Sequence, residues 1–413
     1  MKAEIITIGD ELLIGQVVDT NSAWMAEHLN LVGLQVHQIT SISDDRNHIL
    51  SALALAAQRA NVILITGGLG PTNDDLTKPT LCAYFDTPLV FHQPTYDHIE
   101  QLFGQRGYPM TEVNRHQADV PQSCTVIPNL NGTAPGMWFE QDGIIYVSMP
   151  GVPFEMKPMM LNEILPRLLK RFEGSFILHR TILTQGIGES ALAEKIEAWE
   201  DALPANIKLA YLPQPGIVRL RLTATGDNKQ ELILKVQNQI EKLLQIIPHL
   251  VFGFDEDSLE AVVGKLLLKK HRTVATAESC TGGYLAHLFT SVAGSSAWYM
   301  GSVVAYQNRI KTQSLNVPEK MIEEHGAVSQ QVVEAMADGM RKSFDTDYAL
   351  AVSGIAGPDG GSEEKPVGTT WIALSTAQGV TSKIFFFGEH RQRNIRKAAL
   401  AALNMLRLEL LKD

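Results

Sequence analysis

Cysteine is scarce in this chain: Cys82, Cys124 and Cys280 are the only three in 413 residues, far apart and odd in number. That excludes a disulfide framework. No CxxC pair is present to hold zinc, so a reducing cytoplasm is the expected compartment. Long apolar runs are missing too, with nothing near the roughly eighteen residues of a membrane span. The opening "MKAEIITIGDELL" places Glu4, Asp10 and Glu11 where a secretory signal would need an apolar core. Positive charge is in short supply, 35 Lys and Arg against 45 Asp and Glu, for a net charge of −10. With no long basic run, neither nucleic acid nor a membrane is an expected partner. There is no internal repeat, low-complexity tract or heptad run. What is present is globular: 45% apolar and 19% charged residues, enough for the cores of two or three domains.

Residues 1–170 alternate strand-like and helix-like segments. "AEIITIG", "LQVHQITSI" and "NVILIT" read as strands, and "TNSAWMAEHLNLVG" and "RNHILSALALAAQRA" as the helices between them. Such alternation predicts right-handed βαβ units and a mostly parallel sheet covered on both faces. The loops "GDELLIGQVVDTN", "SDDRN" and "GGLGPTNDDLT" then fall on the carboxyl edge, where such sheets bind ligands. Residues 171–253 change texture and predict a small α+β unit. In it "GIGES" resembles a helix start, with Ser190 leading into the helix. Residues 254–413 alternate again, with strands expected at 273–277, 302–306, 347–353, 369–375 and 382–387 and helices at 258–270, 282–290, 329–343 and 394–411. The expected class is α/β, two three-layer α/β domains flanking a small α+β middle domain.

"TAESCTGG", residues 276–283, joins a strand to a helix through a polar turn and two glycines. That layout suits either a nucleophile or a nest of backbone N–H groups for an anion. Three further loops share the last segment: "AGSSAWYMGSVVAYQNRIK", "VSGIAGPDGGSEEKPVGTTW" and "GEHRQRNIR". In this order the four motifs resemble the C-terminal domain of the CinA family, the competence/damage-inducible proteins. That domain also occurs alone as nicotinamide-nucleotide amidohydrolase. The resemblance implies deamidation of nicotinamide mononucleotide (NMN) to nicotinic acid mononucleotide and ammonia, without metal or cofactor. It points to Ser296 as nucleophile, Lys311 as base and Tyr306 in proton transfer or orientation. No GxSxG elbow or histidine triad is present, and a desolvated lysine can replace the histidine. Ser279, Thr281 and Gly282 are then expected to hold a phosphate or oxyanion at a helix start. Cys280 is an alternative nucleophile. Ser353 and Gly354 become candidate ribose or amide contacts, and either Arg391 or Arg393 a phosphate contact. On spacing alone, Ser296 could equally cap a helix and Lys311 be a surface charge.

"GDELLIGQVVDTN", "TGGLGPTNDDLT" and "MPGVPFEMKPM" resemble the molybdopterin-binding (MogA/MoeA-like) fold as CinA proteins carry it. The resemblance implies an ADP-ribose pyrophosphatase dependent on a divalent metal such as Mg²⁺, with K⁺ as a candidate second cation. Gly67, Gly68, Gly70 and Thr72 form the expected diphosphate cradle, and Asp74, Asp75, Asp10 and Asp45 the expected metal carboxylates. Asp is also common in turns for backbone reasons alone. Expected partners are therefore small nucleotides, NMN and ADP-ribose, and a second copy of the chain in a homodimer. Two other readings stand beside the bifunctional hydrolase: a nucleotide-binding sensor or interaction protein in competence or DNA damage, and a molybdenum-cofactor enzyme.

Overall fold

The structure, a computed structural model, describes residues 1–72, 75–172 and 176–412. The chain divides into two compact units, residues 1–178 with 224–234, and residues 179–223 with 235–413.

The first unit contains β1 (Lys2–Ile8), β2 (Gln35–Ile42), β3 (Val62–Thr66), β4 (Leu89–Phe91), β5 (Asp119–Pro121), β6 (Thr125–Ile127), β7 (Gly136–Gln141) and β8 (Ile144–Met149). Six of these form one sheet in the order β2-β1-β3-β8-β7-β6, and β4 pairs with β5. β2, β1, β3 and β8 run parallel, whereas β7 and β6 are antiparallel. The period-2 alternation of side chains builds a core on each face. Ala3, Ile5 and Leu64 pack beneath Met25 and Leu29 of the helix Thr20–Leu31. Ile6, Ile63 and Ile65 face Ile49 and Leu53 of the helix Arg46–Ala57.

Four more strands, β9 (Phe176–Gln185), β10 (Ile207–Gln214), β11 (Ile217–Gly226) and β12 (Val251–Phe254), form a sheet in the order β10-β11-β9-β12. The helix after β9 begins at Glu189 with Gly188 in the cap position, so Ser190 lies inside its first turn rather than at the cap.

The remaining strands are β13 (Val274–Glu278), β14 (Tyr299–Val304), β15 (Tyr348–Gly354), β16 (Thr369–Thr376) and β17 (Gly379–Phe386). Their order is β14-β13-β15-β16-β17, with β14, β13 and β15 parallel and the last two antiparallel. One face carries Val274, Leu350, Val352, Ile372 and Leu374 against the helices Leu259–Lys270 and Arg391–Leu410. The other face is built of alanine, Ala275, Ala277, Ala349, Ala351 and Ala373, beneath the helix Gln330–Phe344. Small side chains let helices approach closely there. A Cβ on Gly339 of that helix would come within 1.9 Å of the Leu315 carbonyl oxygen. Leu315 ends a helix, Asn308–Leu315, that was not expected from the sequence. The strand before it lies three residues earlier than expected, over Tyr299–Val304.

Candidate active site

β13 ends on Glu278, and the chain turns through residues 279–283 into the helix Tyr284–Thr290. Glu278 is fully buried. Its carboxylate accepts the backbone N–H groups of Gly283 at 3.0 Å, Leu285 at 3.0 Å and Ala286 at 2.7 Å. The helix start is thus satisfied by the protein's own carboxylate. Glu278 takes the amides at the helix start, and the Gly282 N–H donates to the Ser279 carbonyl, so Gly282 does not offer its amide to a phosphate as expected.

Lys311 lies beside this turn, only 1% exposed. Its Nζ stands 2.7 Å from the Ala305 carbonyl oxygen and 3.2 Å from Ser279 Oγ. Ala305 in turn donates its N–H to the Glu278 carbonyl, so the ends of β13 and β14 fix both partners. Burial drives the Lys311 pKa below its usual 10.5, toward the neutral amine. With one N–H on Ala305, a neutral amine can turn its lone pair to the Ser279 hydroxyl. Thr281 Oγ1, in a residue 3% exposed, is buried with no partner among the described residues. Burial also pushes the Cys280 thiol up to about 12, which disfavours the thiolate that a cysteine nucleophile needs.

Ser296 is not part of this cluster. It sits in the short turn Ser295–Ala297 just before β14, beside the start of β13, where the Val274 N–H donates to the Trp298 carbonyl. Lys311 and Ser279 lie beyond the carboxyl ends of these same parallel strands. A six-residue strand spans about 20 Å. The expected Ser296–Lys311 pair is therefore corrected to Ser279–Lys311.

Tyr306 follows Ala305 directly, and its phenol oxygen accepts from Arg391 Nη2 at 3.4 Å. Arg391 also donates through Nη1 to the Gly357 carbonyl at 2.8 Å. The "GIAGPDGG" loop, Tyr306 and Arg391 thus meet at the carboxyl edge of the sheet. Arg393, two residues on, lines a different cleft with Gln185 and Gly188. Ser353 is buried and donates to the Ala327 carbonyl at 2.7 Å. A Cβ on Gly354 would lie 2.8 Å from the Thr369 carbonyl oxygen, so that glycine serves the packing of β15 on β16. The Ser353 hydroxyl, expected at a ribose or amide, is thus taken by the Ala327 carbonyl. Sequence reasoning missed Glu278 and the Ala305 carbonyl. An acid placed at the end of an apolar strand and just before a Gly-Gly helix start was the available signal for Glu278.

In the first unit the Gly-rich turn follows β3 at the same kind of edge. A Cβ on Gly67, whose φ is +112°, would come within 2.0 Å of the Ile8 carbonyl oxygen. Asp75 closes the turn from inside: its carboxylate accepts from Gly70 N at 2.8 Å, Thr72 N at 3.0 Å and Thr72 Oγ1 at 2.6 Å. Of the groups expected to cradle a diphosphate, the amides of Gly70 and Thr72 are therefore spent on Asp75, and that of Gly67 donates to the Met149 carbonyl. Asp45 caps the helix Arg46–Ala57 by accepting from Asn47 N and His48 N. Asp10 begins the short helix Asp10–Leu13, and Asp74 lies outside the described residues. A cleft of about 100 Å³ opens between the carboxyl ends of β1 and β3, lined by Thr7, Glu11, Asp19, Asn21, Thr66 and Gly151. That is the switch point of the β2-β1-β3 order.

Comparison with known proteins covers the whole chain. The family described as "CinA C-terminal domain" matches residues 256–410, "Probable molybdopterin binding domain" residues 4–170, and "Damage-inducible protein CinA KH domain" residues 179–253. A CinA-like protein of Cytophaga hutchinsonii is 51% identical over 99% of this chain and 98% of its own length. The chain belongs to the CinA family. A CinA-like protein of Flavobacterium psychrophilum is 48% identical over 100% of this chain and 99% of its own. A relative of Caldicellulosiruptor bescii, a putative competence-damage inducible protein by name, is 38% identical over the full length of both chains.

The divalent metal that the resemblance of the first unit to CinA proteins implies can be tested against these side chains. Among the described residues no group of three or more His, Cys, Asp and Glu could hold a metal ion. The carboxylates of Asp45 and Asp75 are committed to backbone amides. The described residues do not fit a protein-built metal centre, and no step is routed through one. Among the same residues, no helix is long and apolar enough to cross a membrane.

Proposed function

We propose that this CinA-family chain is a carboxamide hydrolase acting on nicotinamide mononucleotide, with Ser279 as nucleophile and Lys311 as base. The observation that carries the reading is the buried Lys311 amine 3.2 Å from Ser279 Oγ. Desolvation lowers the pKa of this amine below its usual 10.5 and so raises the fraction in the neutral form that can act as a base. It accepts the hydroxyl proton as Oγ attacks the carboxamide carbon. The backbone N–H of Thr281 and its unpartnered hydroxyl supply donors to the developing oxyanion. Lys311 then returns the proton to the departing nitrogen, and ammonia leaves. Water, deprotonated by the same amine, attacks the acyl-serine and releases the acid. Arg391, held by the Gly357 carbonyl and Tyr306, offers its guanidinium to a substrate phosphate. The choice of NMN rests on the family resemblance of the four loops, and the Ser–Lys chemistry rests on geometry.

The test is ammonia release by the full chain without added metal, from NMN and from nicotinamide riboside, which lacks the phosphate. Turnover of NMN with a KM at least tenfold lower than for the riboside is expected, and Arg391→Ala should erase the difference. Absence of turnover on either compound refutes the reading.

A further inference from the structure

The second unit holds a larger cleft that the proposed chemistry does not use. It is about 580 Å³ in volume, within the usual range for small-molecule sites. None of Ser279, Lys311, Tyr306 and Arg391 lines it. On one side lies the turn Gly186–Gly188 leading into the helix Glu189–Asp201, and on another the β10–β11 hairpin tip at Pro215 and Gly216. The third wall is Phe385 and Phe387 with Arg393 and Lys397 of the helix Arg391–Leu410.

These walls are fixed to one another. Arg407 donates to the carbonyls of Val251 and His249, which tethers the last helix to the middle sheet. A Cβ on Gly216, at φ +87°, would come within 2.9 Å of Leu400 Cδ1, so the hairpin tip rests directly on that helix.

Three features of the cleft ask for a ligand. Gly188 caps the helix Glu189–Asp201 without a side-chain hydrogen bond, and Gly188 and Glu189 both line the cleft, so the helix start lies at its wall. Arg393 and Lys397 add two cations, against the single carboxylate of Glu189. Independently of these, Gln185 is only 6% exposed, and its side-chain carbonyl Oε1 is buried with no partner among the described residues. A buried carbonyl without a donor costs on the order of 1–3 kcal/mol, which a ligand N–H would recover. Phe387, stacked on Phe385 with ring centroids 5.4 Å apart, gives the cleft an apolar wall. An anionic end, a hydrogen-bond donor and a flat apolar body belong together in one class of molecule.

We propose that this cleft is a second ligand site, for a nucleoside monophosphate with an amino-bearing base. Its phosphate sits between the Glu189 helix start and Arg393, and its amino group donates to Gln185. The site is independent of the Ser279–Lys311 reading.

Calorimetric titration of the full chain with AMP tests it, beside Arg393→Ala, Gln185→Leu and Ser279→Ala. Binding should weaken at least tenfold in the first two variants and persist in Ser279→Ala. Ribose 5-phosphate should bind wild type more weakly than AMP, and the two should converge in Gln185→Leu. Arg393 is exposed, so its variant folds and reads the proposal even should Gln185→Leu not. Affinity within twofold of wild type in Arg393→Ala overturns the proposal, as does absence of AMP binding. Arg393-dependent binding of a single-stranded oligonucleotide in place of AMP would assign the cleft to nucleic acid instead and equally overturn it.

Discussion

The polar turn at Ser279–Gly283 and the one at Gly67–Thr72 are written in similar residues, yet their polar groups end differently. Both follow a buried parallel strand, and both combine glycines with hydroxyls and an acid. In the first unit Asp75 takes the amides of Gly70 and Thr72 and the Thr72 hydroxyl, so the loop is closed on itself. In the second, Glu278 holds the helix start, which leaves the Ser279 hydroxyl beside a buried amine and the buried Thr281 hydroxyl without a partner among the described residues. Among the described residues no carboxylate pairs with Lys311. Desolvation is what shifts it. A turn that satisfies itself is a scaffold, whereas one that leaves buried polar groups waiting is a candidate for chemistry.

The sharpest break in that comparison is Lys311→Met. Amide hydrolysis should fall about 10³-fold or more, in line with the loss of a general base. Thermal stability at neutral pH should hold or rise, because a poorly solvated amine is replaced by an apolar chain of similar length. The sign follows from linkage. Between the lowered pKa of folded Lys311 and the unfolded value near 10.5, the unfolded chain binds more protons, so stability rises with pH across that window. Below the window the whole penalty is present, and Met removes it.

The same lysine sets the pH profile. Rate should climb with pH through a pKa below 10.5, as the amine loses its proton, and this limb should vanish in Lys311→Met. Thr281→Val comes next: removing one oxyanion donor should cost about 10²-fold in kcat with little change in KM. The smallest effect belongs to the first unit. Asp75→Ala should cost about 1 kcal/mol of stability, read by thermal melting, and leave NMN hydrolysis unchanged.

Much of the fold was legible in the sequence. Apolar strands alternating with amphipathic helices gave both α/β sheets, and the paired cores follow from Ile5 and Ile6 or Val274 and Ala275 facing opposite ways. Lys311 was legible through the family motif. Its partner was not, because pairing depends on strand direction: β14 runs parallel to β13 and carries Ser296 to the opposite edge. Spacing along a chain does not reveal which end of a strand a residue occupies. The roles of Glu278 and Asp75 were hidden for a related reason. A carboxylate in a turn reads the same whether it faces a cation, solvent or three backbone amides, and only the folded path decides. Arg391 and Arg393 stayed unresolved in the sequence because two residues along a helix turn a side chain through about 200°. That rotation is enough to send one to Tyr306 and the other to the Gln185 cleft.

The central claim is that Ser279, not Ser296, is the serine that Lys311 activates. The direct test is ammonia release from NMN by Ser279→Ala and Ser296→Ala side by side, with folding checked by melting temperature. The account predicts that Ser279→Ala loses at least 10³-fold in turnover while Ser296→Ala stays within about twofold of wild type. Loss in Ser296→Ala with turnover preserved in Ser279→Ala would contradict it.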